Sequence, residues 1–267
     1  MKNKEDHPVK NQLEQARKFH ELHRSGSPLI LVNAWDAGSA RTVQQAGAQA
    51  IATGSWSVAA AHGYDDGEEL PFDLVLSNLQ RIRNSVDVPI TIDIEGGYGR
   101  SPEMVKENVG KIIERGAIGV NLEDRHMDGS GLYSIEEQVL RIAAVRAAAD
   151  QSAIPLFINA RTDVFFQSAA HEHGDANIEE ALRRASAYAK AGANGIFVPG
   201  LCNEKYIGAL CKQSPIPVNV MVTSESPSLQ TVAKLGVARI SYGPRPYLMM
   251  MEALKQASVK ALALQGF

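Results

Sequence analysis

Ile90-Thr91-Ile92-Asp93-Ile94-Glu95-Gly96-Gly97-Tyr98-Gly99-Arg100 is the stretch from which the fold is read. Its first half is a strand. Val88, Ile90 and Ile92 are β-branched and alternate with other residues behind Pro89 at the strand entry. Two carboxylates, Asp93 and Glu95, stand where the apolar run ends, followed by three glycines and the helix opener Ser101-Pro102-Glu103. Alternate strand residues share a face, so Asp93 and Glu95 are expected to project the same way. Two hard oxygen donors at that spacing suit Mg²⁺ or Mn²⁺. The plainer alternative, a solvated polar turn, loses weight because the following strands end in the same manner.

Outward from this stretch, short apolar strands alternate with helical patterns. Strands are read at 29–33, 49–53, 88–92, 118–122, 155–160, 195–198, 217–220 and 237–241, and a helical pattern follows each, the last running long from Pro244 to Leu264. A helix at 11–24 precedes them, and residues 1–9 read as a flexible tail of a single domain spanning 1–267. Several helices close on glycine, as in Ala46-Gly47-Ala48, Arg115-Gly116-Ala117, Ala191-Gly192-Ala193 and Leu235-Gly236-Val237, which supplies the left-handed closing residue. Nearly all-apolar strands are those of a buried parallel sheet. Eight strand–helix units predict an α/β fold of the (β/α)₈ TIM-barrel type, with an added N-terminal helix and a long C-terminal one. An open doubly wound sheet is the runner-up, but its G-x-G-x-x-G fingerprint is absent after the first strand, where Asn33-Ala34-Trp35-Asp36-Ala37-Gly38 stands.

Composition narrows the function. The 267 residues are 45% hydrophobic and 21% charged, with a net charge of −3 and no basic cluster of the kind nucleic acid requires. Cys202 and Cys211 form no zinc motif, and a reduced, cytoplasmic setting is the simplest expectation. No apolar run reaches the roughly 18 residues of a membrane span.

A barrel places function at the C-terminal strand ends. Those ends carry Asn33, Trp35 and Asp36; Thr53 to Ser57 and the loop His62 to Asp66; Asp93 and Glu95; Asn121, Glu123, Asp124 and Arg125; Asn159, Arg161 and Asp163; Pro199-Gly200; Asn219; and Ser241 to Arg245. Acids gather on the second to fourth strands, basic and amide groups on the fifth and seventh. A metal pole facing a substrate-anion pole is expected.

Four segments, TGSWSVAAAHGYDD (53–66), TIDIEGGYG (91–99), GVNLEDR (119–125) and INARTD (158–163), resemble in order and spacing the isocitrate lyase / phosphoenolpyruvate mutase superfamily. The resemblance runs from about Leu29 to Tyr247. It implies a (β/α)₈ barrel, assembled as dimers or tetramers, whose last helix is in many members exchanged between subunits. It implies enzymes that break or form C–C or P–C bonds beside a carboxylate with Mg²⁺. Carried over by position, Asp93 is the metal-coordinating acid; Glu95 stands where aspartate is common and reaches the metal through water. Glu123 and Asp66 match the acids after the fourth and second strands. Arg161 matches the arginine that would hold a substrate carboxylate with a fork of donors. Gly54, Ser55, Trp56 and Ser57 match the anion cradle.

The chain also departs from that pattern. Lyases and mutases of the family carry a loop after the fourth strand with a KRCGH or KKCS signature. Here Asp124 to Tyr133 contains neither Cys nor Lys, and Pro199-Gly200 replaces an acid after the sixth strand. This argues against a cysteine-dependent isocitrate or methylisocitrate lyase and toward chemistry that needs chiefly metal and arginine. The expected activity is therefore Mg²⁺-dependent cleavage of a C–C bond in a small 2-oxo or 2-hydroxy carboxylic acid through an enolate. P–C chemistry and a non-catalytic carboxylate-binding barrel are the alternatives. Asp66, Glu123 and Arg161 are the candidate catalytic groups; Asp93, Glu95 and Glu123 the metal set; Gly54, Ser55, Trp56, Ser57, Trp35, Arg161 and Asn219 the substrate contacts. Asp124 is read either as a metal-site acid or as a bridge to Arg125 or Arg161, and His126 as a surface histidine or a general acid. The apolar last helix, with Leu248, Met249, Met250, Met251 and Leu254, points to a homodimer or homotetramer.

Overall fold

Barrel closure depends on a first strand that is divided in two. The computed structural model describes residues 8–264. The expected tail falls outside the described residues at 1–7, while Pro8 and Val9 already belong to a helix. In chain order the elements are α1 (Pro8–Glu21), β1 (Leu29–Leu31), β2 (Asn33–Ala34), α2 (Ala37–Gln45), β3 (Ile51–Thr53), α3 (Ser55–His62), α4 (Phe72–Arg83), β4 (Ile90–Asp93), α5 (Pro102–Glu114), β5 (Gly119–Glu123), α6 (Ile135–Gln151), β6 (Phe157–Arg161), α7 (Asp175–Lys190), β7 (Gly195–Phe197), α8 (Glu204–Gln213), β8 (Val218–Met221), α9 (Leu229–Lys234), β9 (Arg239–Ser241) and α10 (Arg245–Leu262).

All pairings are parallel. β1 pairs with β9 and β2 with β3, so the two halves of the first strand join the ends of an otherwise consecutive sheet. The Asn33 side chain secures this seam, donating to the Thr53 carbonyl and accepting from the Tyr242 N–H. The result is the (β/α)₈ barrel that the alternation predicts, with β1 and β2 counted as one strand.

Local chemistry sets the boundaries. Ser101, Ser134, Asn203 and Ser228 cap α5, α6, α8 and α9 by accepting a backbone N–H from the first turn. The glycines expected to close helices do so: Gly47, Gly116, Gly192 and Gly236 all have left-handed φ. α3 was not anticipated. Its sequence, Ser55-Trp56-Ser57-Val58-Ala59-Ala60-Ala61-His62, has no apolar stripe, and it reads as loop until the barrel buries Ser57, Val58 and Ala59. Among the described residues, no helix is long and apolar enough to cross a membrane.

α1 covers the N-terminal end of the barrel. Ala16 and Phe19 are fully buried, and Gln12 donates to the carbonyls of Ile113 and Ala117. Phe19 meets Phe157 edge-on at 5.5 Å, while the His23 ring stacks on Phe157 at 3.9 Å. His23 Nδ1 lies 2.8 Å from the Phe19 carbonyl, to which it can only donate, and Nε2 is buried with no partner among the described residues. Burial, reinforced by the Arg239 charge, pushes the His23 imidazole down to about 3. The unfolded chain protonates this histidine below about pH 6.5 while the folded one does not, so stability is lost as pH falls from that value toward 3. Between pH 7 and 5 this linkage is worth about 2 kcal/mol. Urea melts of wild type and His23→Gln are expected to diverge by that amount across the interval, with the variant the flatter. Parallel profiles would show that His23 is not held neutral.

Candidate active site

The strand ends enclose a pocket of about 210 Å³ that brings together Gly54, Ser55, Trp56, Asp66, Asp93 and Arg161, with Asn33, Asn121 and the apolar Phe166, Phe197 and Pro199 completing the wall. One side is a helix start. Gly54 precedes α3 in extended conformation and no side chain caps the helix. The first N–H groups of a helix have no intrahelical acceptor, and such a terminus favours an anion. The expected cradle at 54–57 is thus the N-terminus of α3, not a loop. Ser57 does not line the pocket: it is buried, and its hydroxyl has no partner among the described residues.

The acid side is built on β4. The Asp93 carboxylate accepts from Ser55 Oγ at 3.3 Å and from the Glu95 N–H at 3.2 Å. Burial raises its pKa, Arg161 opposes the rise and Asp66 adds to it. Glu95 departs from the expected alternation. The strand ends at Asp93, and Glu95 turns with φ of 51°, so the two acids do not share a strand face. One Glu95 oxygen accepts from the N–H groups of Gly67 and Glu68 at 2.7 and 2.8 Å, and the other from the Tyr98 hydroxyl at 3.2 Å. Glu95 therefore ties the loop that carries Asp66 to the end of β4. Burial, then the charges of Asp66 and Asp93, push its carboxyl up to about 7.

The loop after β4 is conformationally demanding. Glu95 and Tyr98 both have positive φ, Gly97 has φ of 94°, and a Cβ at Gly99 would lie 2.7 Å from the Met104 Cβ. Arg141, a buried cation on α6, holds this loop by donating to the carbonyls of Gly96, Gly99 and Arg100, with Tyr133 stacked on its guanidinium. Glu68 adds a bond at 2.6 Å from the Tyr98 N–H. Arg141 escaped the sequence reading; its signal was a cation on the stripe that also carries Ile142 and Val145.

Arg161 forms the cationic side. Its Nε and Nη2 meet the two Asp163 oxygens at 2.6 and 2.8 Å, and Nη1 meets Glu123 at 2.6 Å. Three of its five N–H groups are thereby engaged, so the fork expected for a substrate lies side-on against Asp163, and two donors remain. Burial works against the Arg161 charge, and Glu123 and Asp163 overcome it, raising its pKa. Burial raises Glu123, which Arg161 pulls back.

Other expected residues take different places. The Asp124 carboxylate pairs with neither Arg125 nor Arg161, although its backbone N–H donates to the Arg161 carbonyl. It is fully buried against Arg184 and the Tyr188 hydroxyl, both at 2.8 Å, and accepts the Asp163 N–H. His126 packs at a tilt against Tyr133, 3.8 Å between ring centres, in a small hairpin closed by an Arg125–Leu132 bridge. Trp35 lines a separate groove of about 860 Å³ between α2, the loop after β8 and the start of α10. Asn219 is not among the residues that line the pocket; it is 1% exposed, with neither side-chain polar atom paired among the described residues.

A family profile described as phosphoenolpyruvate phosphomutase matches residues 19–262. The chain belongs to this family. It is thereby a member of the isocitrate lyase / phosphoenolpyruvate mutase superfamily, whose enzymes include lyases, mutases and hydrolases of small oxo-acids. The 2-methylisocitrate lyase of Escherichia coli (strain K12) is 33% identical over 255 residues, 91% of this chain and 81% of that protein. A crystal structure from Burkholderia cenocepacia J2315, of a protein provisionally named a phosphonomutase, matches with a TM-score of 0.92 and 50% identity, covering 94% of this chain and 99% of that one. Phosphonopyruvate hydrolase in complex with oxalate and Mg²⁺ shares the fold, with a TM-score of 0.82 and 24% identity over 94% of this chain and 88% of that one.

Breaking a buried ion pair from one side leaves an uncompensated charge. Asp163→Asn is therefore expected to lower the unfolding free energy by about 3 kcal/mol, and Asp163→Asn with Arg161→Met by less than the single change. Urea denaturation checks both; a single-variant loss under about 0.5 kcal/mol would mean the Arg161 side chain is not anchored there.

Proposed function

We propose that the chain is a Mg²⁺-dependent enzyme that cleaves a C–C bond in a small 2-oxo or 2-hydroxy carboxylic acid. The observation that carries this reading is the meeting, across one pocket, of half-buried Asp93 and exposed Asp66 with Arg161 and an uncapped helix start. The donor set fits the metal. Asp93 offers hard oxygen donors at the pocket wall and, among the described residues, carries only two hydrogen-bond donors. Among the described residues no three His, Cys, Asp or Glu side chains form a closed cage, and Mg²⁺ asks for none, since it binds through one or two carboxylates and keeps several waters. Asp93 is the direct ligand in this reading, with Glu95, Glu123 and Asp66 acting through water; Mn²⁺ has the same donor preference.

Bound Mg²⁺ supplies a Lewis acid for the enolate charge that develops as the bond breaks. The chain's own groups do the rest. The remaining Arg161 donors and the N–H groups of Ser55 and Trp56 hold the substrate carboxylate, which fixes its position before chemistry. Phe166, Phe197 and Trp56 narrow the mouth and keep water from the carbanionic carbon. P–C cleavage is the second reading, favoured by the phosphonomutase name of the half-identical structure.

A turnover screen with Mg²⁺ over oxaloacetate, isocitrate, 2-methylisocitrate, phosphonopyruvate and phosphoenolpyruvate tests the proposal. Turnover of one compound is expected, lost with chelator and reduced on the order of a hundredfold to a thousandfold in Asp93→Ala. Turnover that survives both treatments would overturn the metal reading, and oxalate binding without any turnover would favour a carboxylate-binding barrel.

The same reading includes a homodimer or homotetramer. None of the α10 residues is buried, and Leu248, Met249, Met250, Met251 and Leu254 are exposed along one helix, an apolar face of the kind a subunit contact covers. Light scattering is expected to give a multiple of 28.8 kDa, reduced by Met250→Arg with Leu254→Arg. A monomeric mass for the wild type would sink the assembly.

A further inference from the structure

Asn121 and Arg239 stand in the barrel interior, and neither figures among the groups assigned above. Asn121, on β5, lines the pocket between its register neighbours Asp93 on β4 and Asn159 on β6. Arg239, on β9, enters from the far side of the barrel and is 1% exposed. Its Nη2 donates to Asn121 Oδ1 at 3.1 Å, and Asn159 Nδ2 donates to the same oxygen at 2.9 Å. The Arg239 side chain has no other hydrogen-bond partner among the described residues; its Nε and Nη1 are buried and bare.

These contacts decide how the Asn121 amide lies. A guanidinium has no acceptor, so the Asn121 atom that meets it is the carbonyl oxygen. The bond is charge-assisted and shielded from water, which strengthens it. A flipped amide would set its NH₂ against the guanidinium, which has no acceptor. The Asn121 NH₂ is therefore turned away from Arg239 and makes no hydrogen bond among the described residues, while the residue itself forms part of the pocket wall.

We infer that Asn121 is a substrate-binding residue that donates its Nδ2–H to a carboxylate or 2-oxo oxygen of the ligand, and that Arg239 is a positioning residue which locks the amide in the donating orientation. This deepens the carboxylate reading above and rests on it. The donor stands between the acid and cation sides, where an oxygen chelated near Asp93 and held by Arg161 would lie. A buried cation with a single hydrogen-bonded partner contributes little to stability, and a clamp on a binding group gives Arg239 a role that packing alone does not.

The probe is oxalate, titrated calorimetrically in the presence of Mg²⁺. Wild type is expected to bind it. Asn121→Ala is expected to weaken binding on the order of tenfold, and Asn121→Asp by more, since an acceptor then faces the anion. Arg239→Met is expected to weaken it by a similar factor with the melting temperature unchanged or raised, because an unsatisfied buried cation is removed. In the Asn121→Ala background Arg239→Met is expected to have no further effect, the non-additivity of residues that act through one another. Oxalate affinity unchanged in Asn121→Ala, with wild type binding normally, overturns the inference alone. Additive losses overturn the clamp, and a lower melting temperature in Arg239→Met without loss of affinity reduces Arg239 to a structural part. Failure of the wild type to bind oxalate overturns the carboxylate reading, and this assignment with it.

Discussion

The Arg161 guanidinium, shared between Asp163 and Glu123, is the interaction on which the site depends. Asp66, Asp93, Glu95 and Glu123 stand around one end of the barrel, and burial raises three of them. So many carboxylates destabilise one another unless a cation sits among them. Arg161 supplies that charge from β6, and Asp163 fixes its plane. Asp163 is itself fixed from behind, since its N–H is held by Asp124, which Arg184 and Tyr188 hold in turn. A chain of buried polar groups thus runs from α7 to the pocket with its members satisfied, and a network of that kind rigidifies what it touches.

The acid side is held by a second set of contacts that are mostly backbone bonds. Glu95 grips the loop at 67–68, Glu68 grips Tyr98, and Arg141 gathers three carbonyls of the Gly96–Arg100 turn. The φ values in that turn are unfavourable for side-chain-bearing residues, and the contacts make up the difference. These contacts fix where the Asp93 carboxylate lies, which the proposed role of that group requires.

Much of this was legible in the sequence. Val88, Ile90 and Ile92, with the glycines at 47, 116, 192 and 236, carry the barrel, because strand burial and helix closure are local properties with local signatures. The acids at strand ends are legible for the same reason: a charge directly behind a buried strand needs a partner. The start of α3 was hidden because Ser55 to His62 has no apolar period, and the turn of Glu95 was hidden because φ is set by what its carboxylate reaches, Gly67 and Glu68, nearly thirty residues earlier.

By itself the sequence determined the eight-unit barrel and the residue types gathered at the C-terminal ends of its strands. Periodicity, capping and composition act over a few residues, and the chain states them directly. Only the tertiary structure decided the partners. Arg161 pairs with Asp163 and Glu123, Asp124 turns to Arg184, Trp35 lies outside the pocket, and Arg239 reaches Asn121 across the barrel from a position 118 residues away. The physical reason is that charge and hydrogen-bond pairing follow distance in space, and barrel closure brings strands from opposite ends of the chain within one interior.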